Sequence, residues 1–166
     1  MDRLFFETKI LADDTGAIEG LAWPFGTPDR VGDVIEKGAF AGASLPLPML
    51  FGHDPNDPVG AWTEATEAAD GLRLKGNLLV EDVARAREVH ALVKAGAVRG
   101  LSIGFLAKKA APRKGGRTIT ALDLIECSLV TVPMHPGARV TSAKSAVEAL
   151  SIAEAINRAA RAMSKR

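Results

Sequence analysis

The stretch spanning residues 98–132 constrains the chain most. Two extended, largely apolar segments, 98–108 and 118–132, flank the polar run Pro112-Arg113-Lys114-Gly115-Gly116-Arg117. Apolar residues in the flanks do not recur at helical spacing, and a Lys-Gly-Gly centre is a turn signal. The pattern therefore predicts a long antiparallel hairpin. A two-stranded ribbon of that length is unstable alone, because its apolar face needs cover from further strands or helices.

Upstream segments offer that cover. Residues 5–23 read as two strands around the turn Asp13-Asp14-Thr15-Gly16, and a loop rich in Pro24, Gly26, Pro28, Asp29 and Gly32 follows. Glu36-Lys37-Gly38-Ala39-Phe40 is expected to open a short helix, closed by Gly42, Pro46 and Pro48. The apolar run Met49-Leu50-Phe51 delivers His53 to the turn Asp54-Pro55-Asn56-Asp57-Pro58, and 59–63 reads as a strand. Leu72, Leu74, Gly76, Leu78 and Val80 share one parity, the mark of a half-buried strand. One internal helix is expected from about Glu81-Asp82 to Lys94, with Val83, Ala86, His90 and Val93 as its apolar stripe and Gly96 as a left-handed cap. From Ala143 the chain turns Ala-rich, with Ile152, Ile156, Ala159 and Met163 at helical spacing. The expected organisation is a folded domain over 1–142 and a helical tail over 143–166. Short strands joined by Gly/Pro-rich connections, without βαβ alternation, point to a mainly β fold: a β-barrel or curled antiparallel sheet with flanking helices.

Bulk properties narrow the function by exclusion. A chain of 166 residues supports one core. Its formal net charge of +1 supplies no field to draw it to nucleic acid or an acidic membrane surface, so neither is an expected partner. No apolar run approaches the ~20 residues that span a bilayer. Acidic residues interrupt the N-terminal stretch where a secretion signal would stay apolar. Cys127 is the one cysteine and has no intramolecular partner, which suits a reducing compartment.

Three residues form a possible catalytic set. His53 ends an apolar strand between a glycine and an Asp-Pro turn, a placement that exposes the ring on a fixed backbone, although a purely structural histidine also fits. His90 lies on the helix stripe, where a satisfied, partly buried ring is the simpler reading. His135, in Pro133-Met134-His135-Pro136-Gly137, sits in a rigid loop. Within Gly100-Leu101-Ser102-Ile103-Gly104-Phe105, the Gly-Ser-Gly face leaves room either for an approaching peptide or for close packing against another backbone. A hairpin centred near Lys114 or Gly115 puts Ser102 opposite Glu126 or Ser128, with Glu126 on Ser102's face in both registers; a one-residue slip would reverse that. A carboxylate amid Leu124, Ile125 and Leu129 needs a partner. Acyl transfer needs a hydroxyl nucleophile, an imidazole to take its proton and an acceptor to hold the imidazole tautomer. Ser102, His53 and Glu126 can fill those roles, with His135 and Asp54 competing for the third. Cys127 shares its parity with Leu129, which suggests a buried, inert thiol. No HExxH or comparable metal-ligand spacing is present, and neither metal nor other cofactor is expected.

An ordered series of blocks resembles the prohead serine proteases of tailed bacteriophages. It runs Gly20-Leu21-Ala22, Asp29-Arg30-Val31-Gly32-Asp33, Gly38-Ala39-Phe40, Gly52-His53-Asp54 with Val59-Gly60, then 100–105 and 124–133. The resemblance implies a fold similar to the herpesvirus assemblins, with His53 and Ser102 on the family's catalytic positions and Glu126 on its acidic one. It also implies a serine endopeptidase inside the assembling procapsid in the host cytoplasm, whose substrates are the major capsid protein or scaffold and can include itself. Homo-oligomer formation is possible. The alternative is a non-catalytic assembly module that keeps the protease fold. Cys127 and Met134-His135 depart from the family's usual residues, and the assemblins' second histidine keeps His135 in contention.

Overall fold

The computed structural model describes residues 15–142. The first expected strand and the 143–166 tail lie outside that range. Eight strands and one helix follow in the order β1 (Ala17–Pro24), β2 (Val34–Ile35), β3 (Leu47–Phe51), β4 (Pro58–Glu67), β5 (Gly71–Leu78), α1 (Ala84–Lys94), β6 (Gly100–Arg113), β7 (Gly116–Val130) and β8 (Arg139–Ser142). Neighbouring strands run β7-β3-β4-β5-β1-β8-β6, and β6 pairs back onto β7, so seven strands close into a barrel. β2 adds to β7 outside the ring, sharing with β3 the edge that β6 does not occupy; both pair parallel to β7. Closure removes the exposed edges that an open sheet of this size would present.

Alternation fills the interior. Leu72, Leu74 and Leu78 of β5, Trp62 of β4, Met49 of β3, Leu101 and Ile103 of β6, and Cys127 and Leu129 of β7 form the core, joined by Ala86, Val89 and Val93 of α1. Trp62 Nε1–H donates to the Cys127 carbonyl at 2.8 Å, which satisfies its polar atom inside the apolar interior.

The hairpin is the longest element, β6 and β7 joined by Lys114-Gly115. Its register carries one decisive irregularity. The two-residue turn pairs Arg113 with Gly116, and strict alternation from there would set Ser102 opposite Cys127. Ile125 is instead left unpaired between Leu124, opposite Phe105, and Glu126, opposite Gly104. This bulge shifts the register by one, so Ser102 faces Ser128. The extra residue lies outside the alternation: Ile125 is exposed, whereas strict parity would turn it inward beside Cys127 and Leu129.

Two further expectations are corrected. Residues 36–43 make successive i→i+3 turns, with Ala39 N–H to Glu36 O, Ala41 N–H to Gly38 O and Ala43 N–H to Phe40 O, and no helix. Gly38 takes φ +96°, which breaks the right-handed path, and the Glu67 carboxylate collects the Gly38 and Phe40 amides. The internal helix starts at Ala84, past the Glu81-Asp82 turn, so no acid lies in its first turn, and its buried stripe is Ala86, Val89 and Val93. His90 is half-buried beside that stripe. Gly96 does adopt the left-handed conformation (φ +73°).

The block Asp29-Arg30-Val31-Gly32-Asp33 is a clamp. Asp29 Oδ1 accepts the Val31 and Asp33 amides, closing the loop on itself. Asp33, buried, takes Arg117 Nε at 3.1 Å, Nη2 at 2.5 Å and the Arg117 amide at 3.0 Å. Arg113 donates to Gly32 O, and Arg30 donates to Pro133 O. The loop is thereby tied to the base of the hairpin turn and to the segment after β7.

Candidate active site

Adjacent strands β3, β7 and β6 each deliver one part of the site. Immediately after β3, Phe51–Asp54 forms a reverse turn closed by Asp54 N–H to Phe51 O at 3.2 Å. Both central residues, Gly52 and His53, have φ +64°, the signature of a type I′ turn. Glycine adopts that conformation freely, whereas histidine does so at some cost. Neighbouring groups hold it there: Gly52 N–H donates to Leu129 O at 3.0 Å and His53 N–H to Ser128 Oγ at 3.1 Å. Arg85 of α1 braces the base of the turn, its guanidinium 4.7 Å from the Phe51 ring centroid and 3.0 Å from Asp57.

β7 supplies Glu126 and Ser128. His53 Nδ1 lies 2.7 Å from Glu126 Oε1, and Ser128 Oγ–H donates to Glu126 Oε2 at 2.6 Å. The histidine side chain is 44% exposed and the glutamate 12%. With the Ser128 proton given to Oε2, the carboxylate accepts at both oxygens. Neutral His53 then carries its proton on Nδ1, and Nε2 keeps a lone pair.

β6 brings Ser102, opposite Ser128, and Gly104, opposite Glu126. Directly opposed residues of an antiparallel pair project from the same face. A Cβ on Gly104 would run into Glu126 Oε1, so the carboxylate occupies the space that this glycine leaves vacant. Ser102 shares that parity, its side chain is nearly buried, and it therefore stands on the face that carries Glu126 and Ser128.

The competing residues lie elsewhere or are otherwise engaged. Asp54 Oδ1 accepts the Asn56 amide within its own turn. His135 is buried, edge-on to Trp23 with ring centroids 4.9 Å apart. Its Nδ1 accepts Gly137 N–H at 3.1 Å while Nε2 lies 3.1 Å from Thr27 O, so the ring is a neutral bridge between loops. Burial pushes its pKa down. Cys127 faces the core, where burial drives the thiol pKa well up and keeps it protonated. Among the described residues no three His, Cys, Asp or Glu side chains gather as a metal-ligand set. Two contributors escaped the sequence reading, Ser128 and the vacancy at Gly104. Both share the parity of residues already singled out, and that parity was the available signal.

The seven-stranded barrel that brings this serine, histidine and carboxylate together is similar in fold to two viral proteases. The bacteriophage T4 capsid assembly protease superposes with a TM-score of 0.57 at 15% identity, over 69% of this chain and 80% of that one. The KSHV protease, solved with a hexapeptide phosphonate inhibitor, superposes with a TM-score of 0.51 at 14% identity, over 75% and 63%. At such identities the likeness is one of fold.

Sequence comparison narrows the class: the chain belongs to the caudovirus prohead serine protease family, whose profile matches residues 6–152. It is 37% identical over 147 residues to a capsid polyprotein of Pseudomonas phage PAJU2, covering 84% of this chain and 22% of that protein. It is 31% identical over 150 residues to the prohead protease of Enterobacteria phage HK97, covering 84% and 65%. The chain thus spans less than two thirds of the length of either relative.

Proposed function

We propose that the chain is a serine endopeptidase of phage capsid maturation, in which Ser102 is the nucleophile, His53 the general base and Glu126 the group that orients it. The observation that carries this reading is the 2.7 Å His53 Nδ1 to Glu126 Oε1 contact, made on the face that holds Ser102. The Nε2 lone pair takes the Ser102 hydroxyl proton as Oγ attacks the scissile carbonyl. The resulting imidazolium is stabilised by the Glu126 carboxylate. Protonated Nε2 then returns the proton to the departing amine, leaving an acyl-serine that water hydrolyses by the same exchange. The substrates are the major capsid protein or scaffold, met inside the assembling procapsid. No helix among the described residues is long and apolar enough to cross a membrane.

Co-expression with the neighbouring capsid protein, followed by N-terminal sequencing of fragments, tests the activity and maps the cleavage site. Ser102→Ala and His53→Ala should each abolish cleavage, with losses on the order of 10⁶ in kcat, because such residues act as a unit. Glu126→Gln should lose about 10⁴, the scale seen when a triad carboxylate becomes an amide. His135→Ala should lower the Tm and leave the rate per folded molecule near normal. A fluorophosphonate should label wild type and not Ser102→Ala. Cleavage by folded Ser102→Ala would refute the assignment, and an inert, unlabelled wild type would favour a non-catalytic assembly module.

A further inference from the structure

Ser128 is fully buried, and its one hydroxyl joins two residues of the proposed site. The hydroxyl hydrogen goes to Glu126 Oε2 at 2.6 Å, and the oxygen receives the His53 amide at 3.1 Å. The first bond fixes the carboxylate so that Oε1, not Oε2, is presented to His53 Nδ1. The second holds His53 in its left-handed conformation, from which the ring reaches Glu126. Ser128 is also the residue directly opposite Ser102. One side chain therefore sets the base's backbone, the orienter's side chain and the distance between them, from the ladder position that faces the nucleophile.

We infer that Ser128 is a positioning residue of the catalytic apparatus, acting through Glu126 and His53 and not on substrate. This inference rests on the triad reading above. The hydroxyl has a single hydrogen and spends it on Glu126, so Ser128 offers no proton to a substrate and no second nucleophile. What it supplies is geometry, and misplacing catalytic groups by about 1 Å can cost ~10² in rate. Alanine at this position would leave both a carboxylate oxygen and the His53 amide without their partner.

The test uses the full chain, the rate of fluorophosphonate labelling, and kcat and KM on a peptide carrying the mapped cleavage sequence. Ser128→Ala should fold, label about 10²-fold more slowly, and lose kcat to the same extent with KM unchanged. In a Glu126→Ala background the same substitution should cost about 10-fold or less, because the route through the carboxylate is already gone and only the hold on the His53 amide remains. Ser128→Cys, similar in shape but a weak donor, should restore part of the rate, and it carries the test if the alanine variant does not fold. Wild-type kcat in folded Ser128→Ala or Ser128→Cys overturns the inference, as does a full additive cost in the Glu126→Ala background. If Ser102→Ala and His53→Ala abolish cleavage while the Ser128 variants do not, only this inference fails. If the first two retain cleavage, the triad reading itself is wrong.

Discussion

The space that the Glu126 carboxylate fills is the space a side chain at position 104 would occupy. A methyl group there would collide with Oε1, closer than real contacts come, and would crowd Cγ and Cδ at 3.0 Å. The obstructing atoms belong to one side chain that can swing away, so Gly104→Ala should cost little stability. It should instead drive the carboxylate off His53 and slow fluorophosphonate labelling by about 10²-fold, by the same geometric sensitivity. A Tm within a few degrees of wild type alongside that loss would bear this out, whereas an unchanged labelling rate would show that the carboxylate has another seat. At this scale the sequence was informative. That Glu126 needs a partner was legible, because a carboxylate in an apolar strand is costly alone, and His53 is the partner it finds; a histidine at a turn and a serine between glycines fitted structural roles as well. Ser128 was not legible, since a serine in a strand is unremarkable until its partners are known.

Among the elements, β7 shows why register could not be fixed from the sequence. The turn at Lys114-Gly115 was legible, yet a two-residue turn alone would send Glu126 to the interior. The bulge at Ile125 corrects it, and nothing in Leu124-Ile125-Glu126 announces which residue drops out of the ladder. Deleting Ile125 should therefore be tolerated: Leu124 and Glu126 become consecutive, still opposite Phe105 and Gly104, and the inward and outward faces on both sides of the bulge are kept. The deletion variant and Ile125→Ala should both fold and label within about 10-fold of wild type, since the bulge only absorbs one surplus residue. A loss of labelling beyond about 10²-fold in the folded deletion variant would show that the bulge itself shapes the site. The early helix at 36–40 failed for a related reason: Gly38 reads as a tolerated interruption, but the Glu67 carboxylate captures the amides around it and fixes a turn. The start of α1 moved because Glu81 and Asp82 are used in the turn that precedes the helix and do not lie within it.

The molecule as a whole is closed by pairings distant in sequence, and the Asp33–Arg117 clamp is one place where its stability depends on pH. Arg117 beside Asp33 holds that carboxyl below the usual carboxylate range. The native state therefore favours the ionised form more than the unfolded chain does. The clamp's contribution is complete above the unfolded aspartate value, about 3.9, and is lost as pH falls through the lower native value. Wild type should thus lose stability on acidification from about pH 5 to 3 more steeply than Asp33→Asn, and the gap between their urea midpoints should shrink as the pH drops. Parallel curves would show that the clamp contributes nothing electrostatic. The strands of the barrel and the antiparallel hairpin were legible from alternation and turn residues. The choice between a closed barrel and a curled sheet stayed open, because closure depends on β8 meeting both β1 and β6, and the four-residue segment Arg139–Ser142 gives no sign of its two partners.

That last pairing has a consequence for how such a domain can be carried. Glu19, near the start of β1, lies opposite Ser142, the last residue of β8, and the two strands run antiparallel. Among the described residues, the first and last strands of the barrel therefore lie side by side, apart from β7, which bears the carboxylate, and β3, which leads into the histidine turn. Such a cassette can be spliced into a longer polypeptide the way a bead is tied into a cord at a single knot. Polypeptide joined at the outer ends of β1 and β8 would meet the wall at one point, on strands other than those that carry the His53 turn and the Ile125 bulge.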